Sequence, residues 1–212
     1  MLIVCPELTE RKYPGAEWYQ EGGIMDADGH IREKEERTFS AADRIVAEVK
    51  NRTQAAGKII LFGHSAGGQF VHRWALLGGK KNVDVIAVAN SGWFTMPDRD
   101  IDYPYGIKNV GITDEELGEA FAKPVILFMG EKDVERKPPF RDTPEADAQG
   151  MNRMERCMNY FRQCKAKAEE LRVPFRWKLE IVEGTAHQGV KMAEGAAAYI
   201  FGKSSEDGNR RV

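Results

Sequence analysis

Unbroken apolar runs separated by helix-length stretches limit what this chain can become. Lys58 to Phe62, Val83 to Ala89 and Pro124 to Met129 are each apolar almost throughout, rather than alternating apolar with polar. A strand of that kind is buried on both faces. Between these runs, apolar residues recur with helical period: Ile45, Val46 and Val49 in the first gap, then Phe70, Val71, Trp74 and Leu77 in the second. Such alternation predicts an α/β fold, a mostly parallel sheet covered by helices on both faces. Right-handed crossovers then gather the loops at the strands' C-terminal ends along one rim.

Further elements follow from the same reading. Residues 2–5 (LIVC) form a short apolar run stopped by Pro6, which predicts a buried strand. Residues 8–40 read as loop, with a weak strand around 18–25. Ser40 is the expected N-cap of a helix over 41–56, Asp114 to Phe121 a short helix, and 150–171 a long one. In that long helix Met151, Met154, Met158, Phe161 and Leu171 form a stripe expected to face the core. Arg176 to Val182 is the last strand, followed by a small-residue helix to about Phe201. The chain of 212 residues fits one domain over 1–202 with a polar tail at 203–212.

Composition removes several classes of function. The formal net charge is −2 with acids and bases interspersed, so no clustered positive field exists for nucleic acid or an anionic membrane. No apolar run approaches 18 residues, and the first ten residues lack the basic region of a secretory leader. The cysteines are few, and Cys157 and Cys164 lie seven apart on one expected helix, about 10 Å along its axis and out of disulfide reach. A reduced, cytoplasmic setting is expected. No spacing suited to a metal is present, and no metal or cofactor is expected.

The chemistry is carried by Gly63-His64-Ser65-Ala66-Gly67, placed where a strand turns directly into a helix. A turn that sharp needs small residues two before and two after its centre, and it lifts the central hydroxyl off the sheet rim. A Gly-rich turn with an incidental serine has the same composition, but seldom the same strand and helix on either side. The helix N-terminus aims unpaired N–H groups at the same point, so the Ala66 N–H is an expected oxyanion donor. A serine hydroxyl needs a base, and the base needs an orienting acid. His187 follows the last strand in a Gly-x-x-His turn; His30, His64 and His72 fall in less suitable places. Asp133 follows PVILFM in a Gly-x-x-Asp turn, with Glu131 and Asp142 as competitors. A second oxyanion donor is expected from the loop after residues 2–5, at the Leu8 N–H. Trp18, Trp93 and Tyr103, with Tyr19, Phe94 and Tyr105, either line a substrate cleft or pack their own loops.

At GHSAGGQF (63–70), GEKD (130–133) and GTAHQG (184–189) the chain resembles the α/β-hydrolase superfamily. Within it the likeness is to the esterase branch that includes poly(3-hydroxybutyrate) depolymerase-like proteins and small bacterial carboxylesterases. The resemblance spans residues 2–201. It implies a Ser65–His187–Asp133 triad, an oxyanion hole from Ala66 and Leu8, and a small or polymeric carboxylic ester as substrate, without a cofactor. The family sheet starts with an antiparallel pair ahead of the strand at 2–5, for which this sequence has no counterpart. Two expectations follow: that the natural chain starts earlier, or that the sheet is reduced to about six strands with an open edge. An open edge invites pairing, and a homodimer is the expected consequence.

Overall fold

The computed structural model describes residues 2–53, 57–79 and 83–202. Its elements are, in chain order, α1 (Gly15–Tyr19), α2 (Thr38–Thr53), β1 (Ile60–His64), α3 (Ala66–Leu77), β2 (Val85–Ala89), α4 (Asp114–Phe121), β3 (Val125–Gly130), α5 (Pro144–Asp147), α6 (Arg153–Glu170), β4 (Lys178–Val182) and α7 (Gly189–Gly202). The four strands are all parallel and lie in the order β1-β2-β3-β4. Each crossover between neighbouring strands carries helix, as a parallel sheet requires.

The inner strands behave as their composition demands. Every residue of β3 is buried, and Ile86, Ala87, Val88 and Ala89 of β2 are all at most 2% exposed. One face packs Ile86, Val88, Val125, Leu127 and Met129 against Trp74 of α3, Phe121 of α4 and Tyr160 of α6. The other face is thinner: Ala87, Ala89, Ile126 and Phe128 meet Met192 and Ala196 of α7. Small side chains permit close approach here, since a Cβ at Gly195 would come within 2.7 Å of Val182. Phe62, in register with Ala87, lies at the open side of this layer and is 38% exposed.

Several expectations need correction. Residues 2–5 form no strand, and Leu2, Ile3 and Val4 are 65%, 70% and 47% exposed. An apolar run becomes a strand only where a neighbour supplies the ladder, and among the described residues no strand pairs with it. The sheet therefore has four strands rather than about six. Residues 15–19 are helical rather than loop, and at 18–25 the extended structure amounts to a single bridge, Met25 to Ile31. Helix α2 begins at Thr38, ahead of the expected Ser40 cap; the Ser40 hydroxyl instead donates back to the Glu35 and Arg37 carbonyls. The expected helix end at 54–56 and the tail at 203–212 lie outside the described residues.

Helix α4 matches its expected bounds, and its start is written locally: Thr113 and Glu116 form a reciprocal capping box. Helix α6 has Asn152 as its N-cap. Its buried face is Arg153, Arg156, Cys157, Tyr160, Cys164 and Ala168, and of the expected stripe Met154, Phe161 and Leu171 pack half-buried against the same core. Met151 and Met158 are 54% and 43% exposed. Two buried arginines displace them because the N-terminal turn of α6 faces a cluster of loop carbonyls and carboxylates that need donors. Cys157 and Cys164 are free buried thiols, and burial pushes both up from the ordinary thiol range.

Candidate active site

Strand β1 ends at His64, and α3 begins at Ala66, leaving Ser65 alone to make the turn. Its backbone sits at φ 55° and ψ −114°, a conformation that ordinarily costs on the order of 1–3 kcal/mol. The surroundings enforce it. The Ser65 N–H donates to the Ala89 carbonyl at 2.9 Å, and the Ser65 carbonyl accepts from Gln69 at 2.9 Å, starting α3. A Cβ at Gly63 would lie 2.2 Å from the Gly67 carbonyl oxygen, and one at Gly68 would lie 2.8 Å from the Ala89 oxygen. Glycine at 63 and 68 is thus the condition for strand and helix to meet this closely. Ala66, the first helical residue, brings its N–H to the same terminus, where helix N–H groups have no intrahelical partner.

His187 is carried by the loop between β4 and α7, and Asp133 by the loop after β3. The Ser65 Oγ lies 2.9 Å from His187 Nε2. The His187 Nδ1–H donates to Asp133 Oδ2 at 2.7 Å. That bond assigns the tautomer: with Nδ1 protonated, Nε2 is the acceptor for the serine proton. Asp133 is 3% exposed, whereas the His187 side chain keeps 28% exposure and faces solvent from the rim. The three expected residues therefore meet in one hydrogen-bonded chain.

The competitors have other roles. Glu131 accepts from the Gly184 N–H at 2.8 Å, tying the acid loop to the base loop. Asp142 is exposed. The premise for Leu8 fails with the strand at 2–5: Leu8 instead lines a surface groove with Tyr13 and the α2 residues Ala41, Arg44 and Ile45. Of the aromatics, Trp93 is 2% exposed, with the Arg73 guanidinium 4.1 Å from its ring centre on α3's side, and Arg141 at 5.0 Å. Tyr103 is 8% exposed and donates to the Glu21 carbonyl. Trp18 is half-buried beneath Arg32, 4.1 Å from its ring centre. Each of the three is thus held by another part of the protein. Tyr19 is the aromatic that reaches the elbow: its hydroxyl lies 3.4 Å from where a Gly67 Cβ would be, and its ring stacks on Phe70.

Two residues without a role in the sequence reading, Asn90 and Arg153, hold the site together, and His64, set aside there as a base, packs against it. Asn90, fully buried at φ 43°, donates from Nδ2 to the Ala186 carbonyl at 3.0 Å and accepts at Oδ1 from the Gly130 N–H at 2.8 Å. Its own N–H donates to Phe128 at 3.0 Å. One side chain thus joins the end of β2 to the loops bearing the acid and the base. A buried asparagine directly after an apolar strand was the available signal. Arg153 donates to Asp133 Oδ1 at 3.2 Å. His64 packs its ring 4.8 Å from that of His187, and burial together with the neighbouring His187 lowers it to about 4. His64 is accordingly neutral near pH 7. Among the described residues, one group could offer three ligand atoms to a cation, the half-buried Asp26 with the exposed Asp28 and His30. There Asp26 Oδ1 is already engaged by the N–H groups of Asp28 and His30, an ordinary turn.

No family model and no curated protein matches the chain. Solved structures do. Poly(aspartic acid) hydrolase-1 from Sphingomonas sp. KT-1 is 32% identical, with a TM-score of 0.86 over 92% of this chain and 75% of its own. The chain belongs to the α/β-hydrolase family. LpqC, a poly(3-hydroxybutyrate) depolymerase from Bordetella parapertussis, is 31% identical with a TM-score of 0.84, over 92% of this chain and 67% of that one. The parallel sheet, the strained turn after β1 and the loops at the C-terminal rim are the α/β-hydrolase arrangement at four strands. Among the described residues no helix is long and apolar enough to cross a membrane.

Proposed function

We propose that this α/β-hydrolase cleaves carboxylic esters through an acyl-enzyme, with Ser65 as nucleophile, His187 as general base and acid, and Asp133 as the orienting carboxylate. The observation that carries the reading is the continuous chain from Asp133 Oδ2 to His187 at 2.7 Å and from His187 to Ser65 Oγ at 2.9 Å. The Ser65 oxygen adds to the ester carbonyl as its proton passes to His187 Nε2. The tetrahedral oxyanion is met by the Ala66 N–H, a donor worth about 3 kcal/mol in such sites. Collapse expels the alcohol, which takes the proton from His187. Water then repeats the sequence on the acyl-Ser65, releasing the acid and restoring the hydroxyl. Asp133 stays ionised and holds the imidazole in the tautomer that keeps Nε2 free.

Short-chain p-nitrophenyl esters should give a burst of p-nitrophenol, and Ser65→Ala should lower turnover on the order of 10⁴- to 10⁶-fold. Unchanged turnover in that variant would refute the role of Ser65. A panel of rising acyl length, run beside that control, reads the acyl preference. An amide substrate is the second reading, favoured by the 32% identity to a poly(aspartic acid) hydrolase. Ester, thioester and amide substrates at equal concentration separate these, and an acyltransferase would appear as product formed on an added alcohol. A hydrolase-like binding protein without turnover would show no burst on any of them.

A further inference from the structure

We propose that Arg153 is a positioning residue for this reaction: it fixes the Asp133 carboxylate in line with His187 and sets a permanent cation on the carboxylate's far oxygen. The inference rests on the triad reading above. Asn152 caps α6, and Arg153 is the first residue of the helix. From there its side chain runs back beneath the loop that carries the acid. Nη1 donates to Asp133 Oδ1 at 3.2 Å and to the Glu135 carbonyl at 3.3 Å, and Nη2 donates to the Pro139 carbonyl at 2.8 Å. The guanidinium centre stands 5.1 Å from the centre of the Phe140 ring. The Arg153 and Asp133 side chains are 5% and 2% exposed, so water screens neither charge.

The geometry divides the carboxylate's two oxygens between an imidazole and a guanidinium. Oδ2 faces His187 and Oδ1 faces Arg153. An ionised carboxylate raises the proton affinity of the imidazole it touches, and a permanent cation on its far oxygen opposes that effect. Few other charges reach the group. Ser65, Asp133 and His64 face His187, and His64 is lowered to about 4, so it is uncharged through the range that matters. Around Arg153, Arg156 and Arg136 both bond to Asp147, which balances them. Arg153 is therefore the one charged side chain bonded to the acid of the triad among the described residues.

A lock on the loop and a control on basicity make different predictions. The test is an imidazole NMR titration of His187, assigned with a His187→Gln variant, in the wild type, Arg153→Met and Arg153→Lys. The acid limb of kcat/KM against pH is measured in parallel. Removing the charge in Arg153→Met should raise the His187 midpoint by roughly one pH unit, the scale of one unit charge acting across a carboxylate in a half-buried site. The acid limb should move up with it. Arg153→Lys keeps the charge but cannot bridge three acceptors, so its midpoint should stay near the wild type while kcat falls. If Arg153→Met does not fold, Arg153→Gln serves as the uncharged variant. An unmoved or lowered midpoint in the uncharged variant overturns the proposal, as does an equal rise in Arg153→Lys. The titration reads His187 without turnover, so inactivity toward esters would sink the triad reading while leaving this inference separately decided.

Discussion

His64 shows how much one side chain's surroundings decide. It occupies the variable position of the Gly-x-Ser-x-Gly turn, yet the turn half-buries its ring against His187, and its buried Nε2 has no hydrogen-bond partner among the described residues. Burial and the neighbouring imidazole both favour the neutral form, lowering it from 6.5 to about 4. The consequence for stability has a definite sign. The unfolded chain takes up a proton here near pH 6.5, whereas the folded chain resists it until about 4. Stability is thus greatest above 6.5 and falls as pH drops through that window. His72 acts in the same direction, buried with Nδ1 on the Gly68 carbonyl and Nε2 receiving the Thr95 N–H. Replacing His64 with Gln should flatten the fall of the thermal midpoint between pH 6.5 and 4 without removing it. A fall as steep as the wild type's would show that the ring is freely protonated in the fold.

At the scale of elements, the site is a matter of how close three loops come. The acid strand meets the base loop at Gly130, where a Cβ would lie 2.5 Å from the Thr185 carbonyl oxygen and 2.8 Å from that of Ala186. The Gly130 N–H is also the donor to Asn90. Gly130→Ala should therefore push the loop bearing His187 away from the strand bearing Asp133, and activity should fall at least tenfold with most of the fold retained. Esterase kinetics beside a thermal melt check this; full activity with an unchanged midpoint would mean that the loops tolerate the displacement. Much of this was legible in sequence, because the turn after each strand carries its own signature. Gly63-x-Ser65-x-Gly67, Gly130-x-x-Asp133 and Gly184-x-x-His187 are local patterns, and the structure brings all three side chains together. Asn90 showed only as an asparagine directly after an apolar strand, and Arg153 not at all, because their partners are 40 and 20 residues away.

For the molecule as a whole, the α/β class and the parallel order followed from unbroken apolar strands alternating with helices, a pattern that long-range context seldom overrides. The misreadings have two causes. Leu2-Ile3-Val4 has a strand's composition but no ladder partner among the described residues, and so lies exposed. The Leu8 oxyanion donor was expected only because that strand was. The methionines of α6 have core-like hydrophobicity, yet the helix turns its arginines inward because buried carboxylate and carbonyl groups demand donors more strongly than methionine demands burial. All elements then serve one end: a serine, an imidazole and a carboxylate in line at the strands' C-terminal rim. A fluorophosphonate probe followed by intact mass and peptide mapping tests that most directly. One adduct per chain, located on Ser65, abolished by Ser65→Ala and strongly slowed by His187→Ala, is the result expected. An unlabelled wild type, or labelling that persists undiminished in Ser65→Ala, would contradict the account.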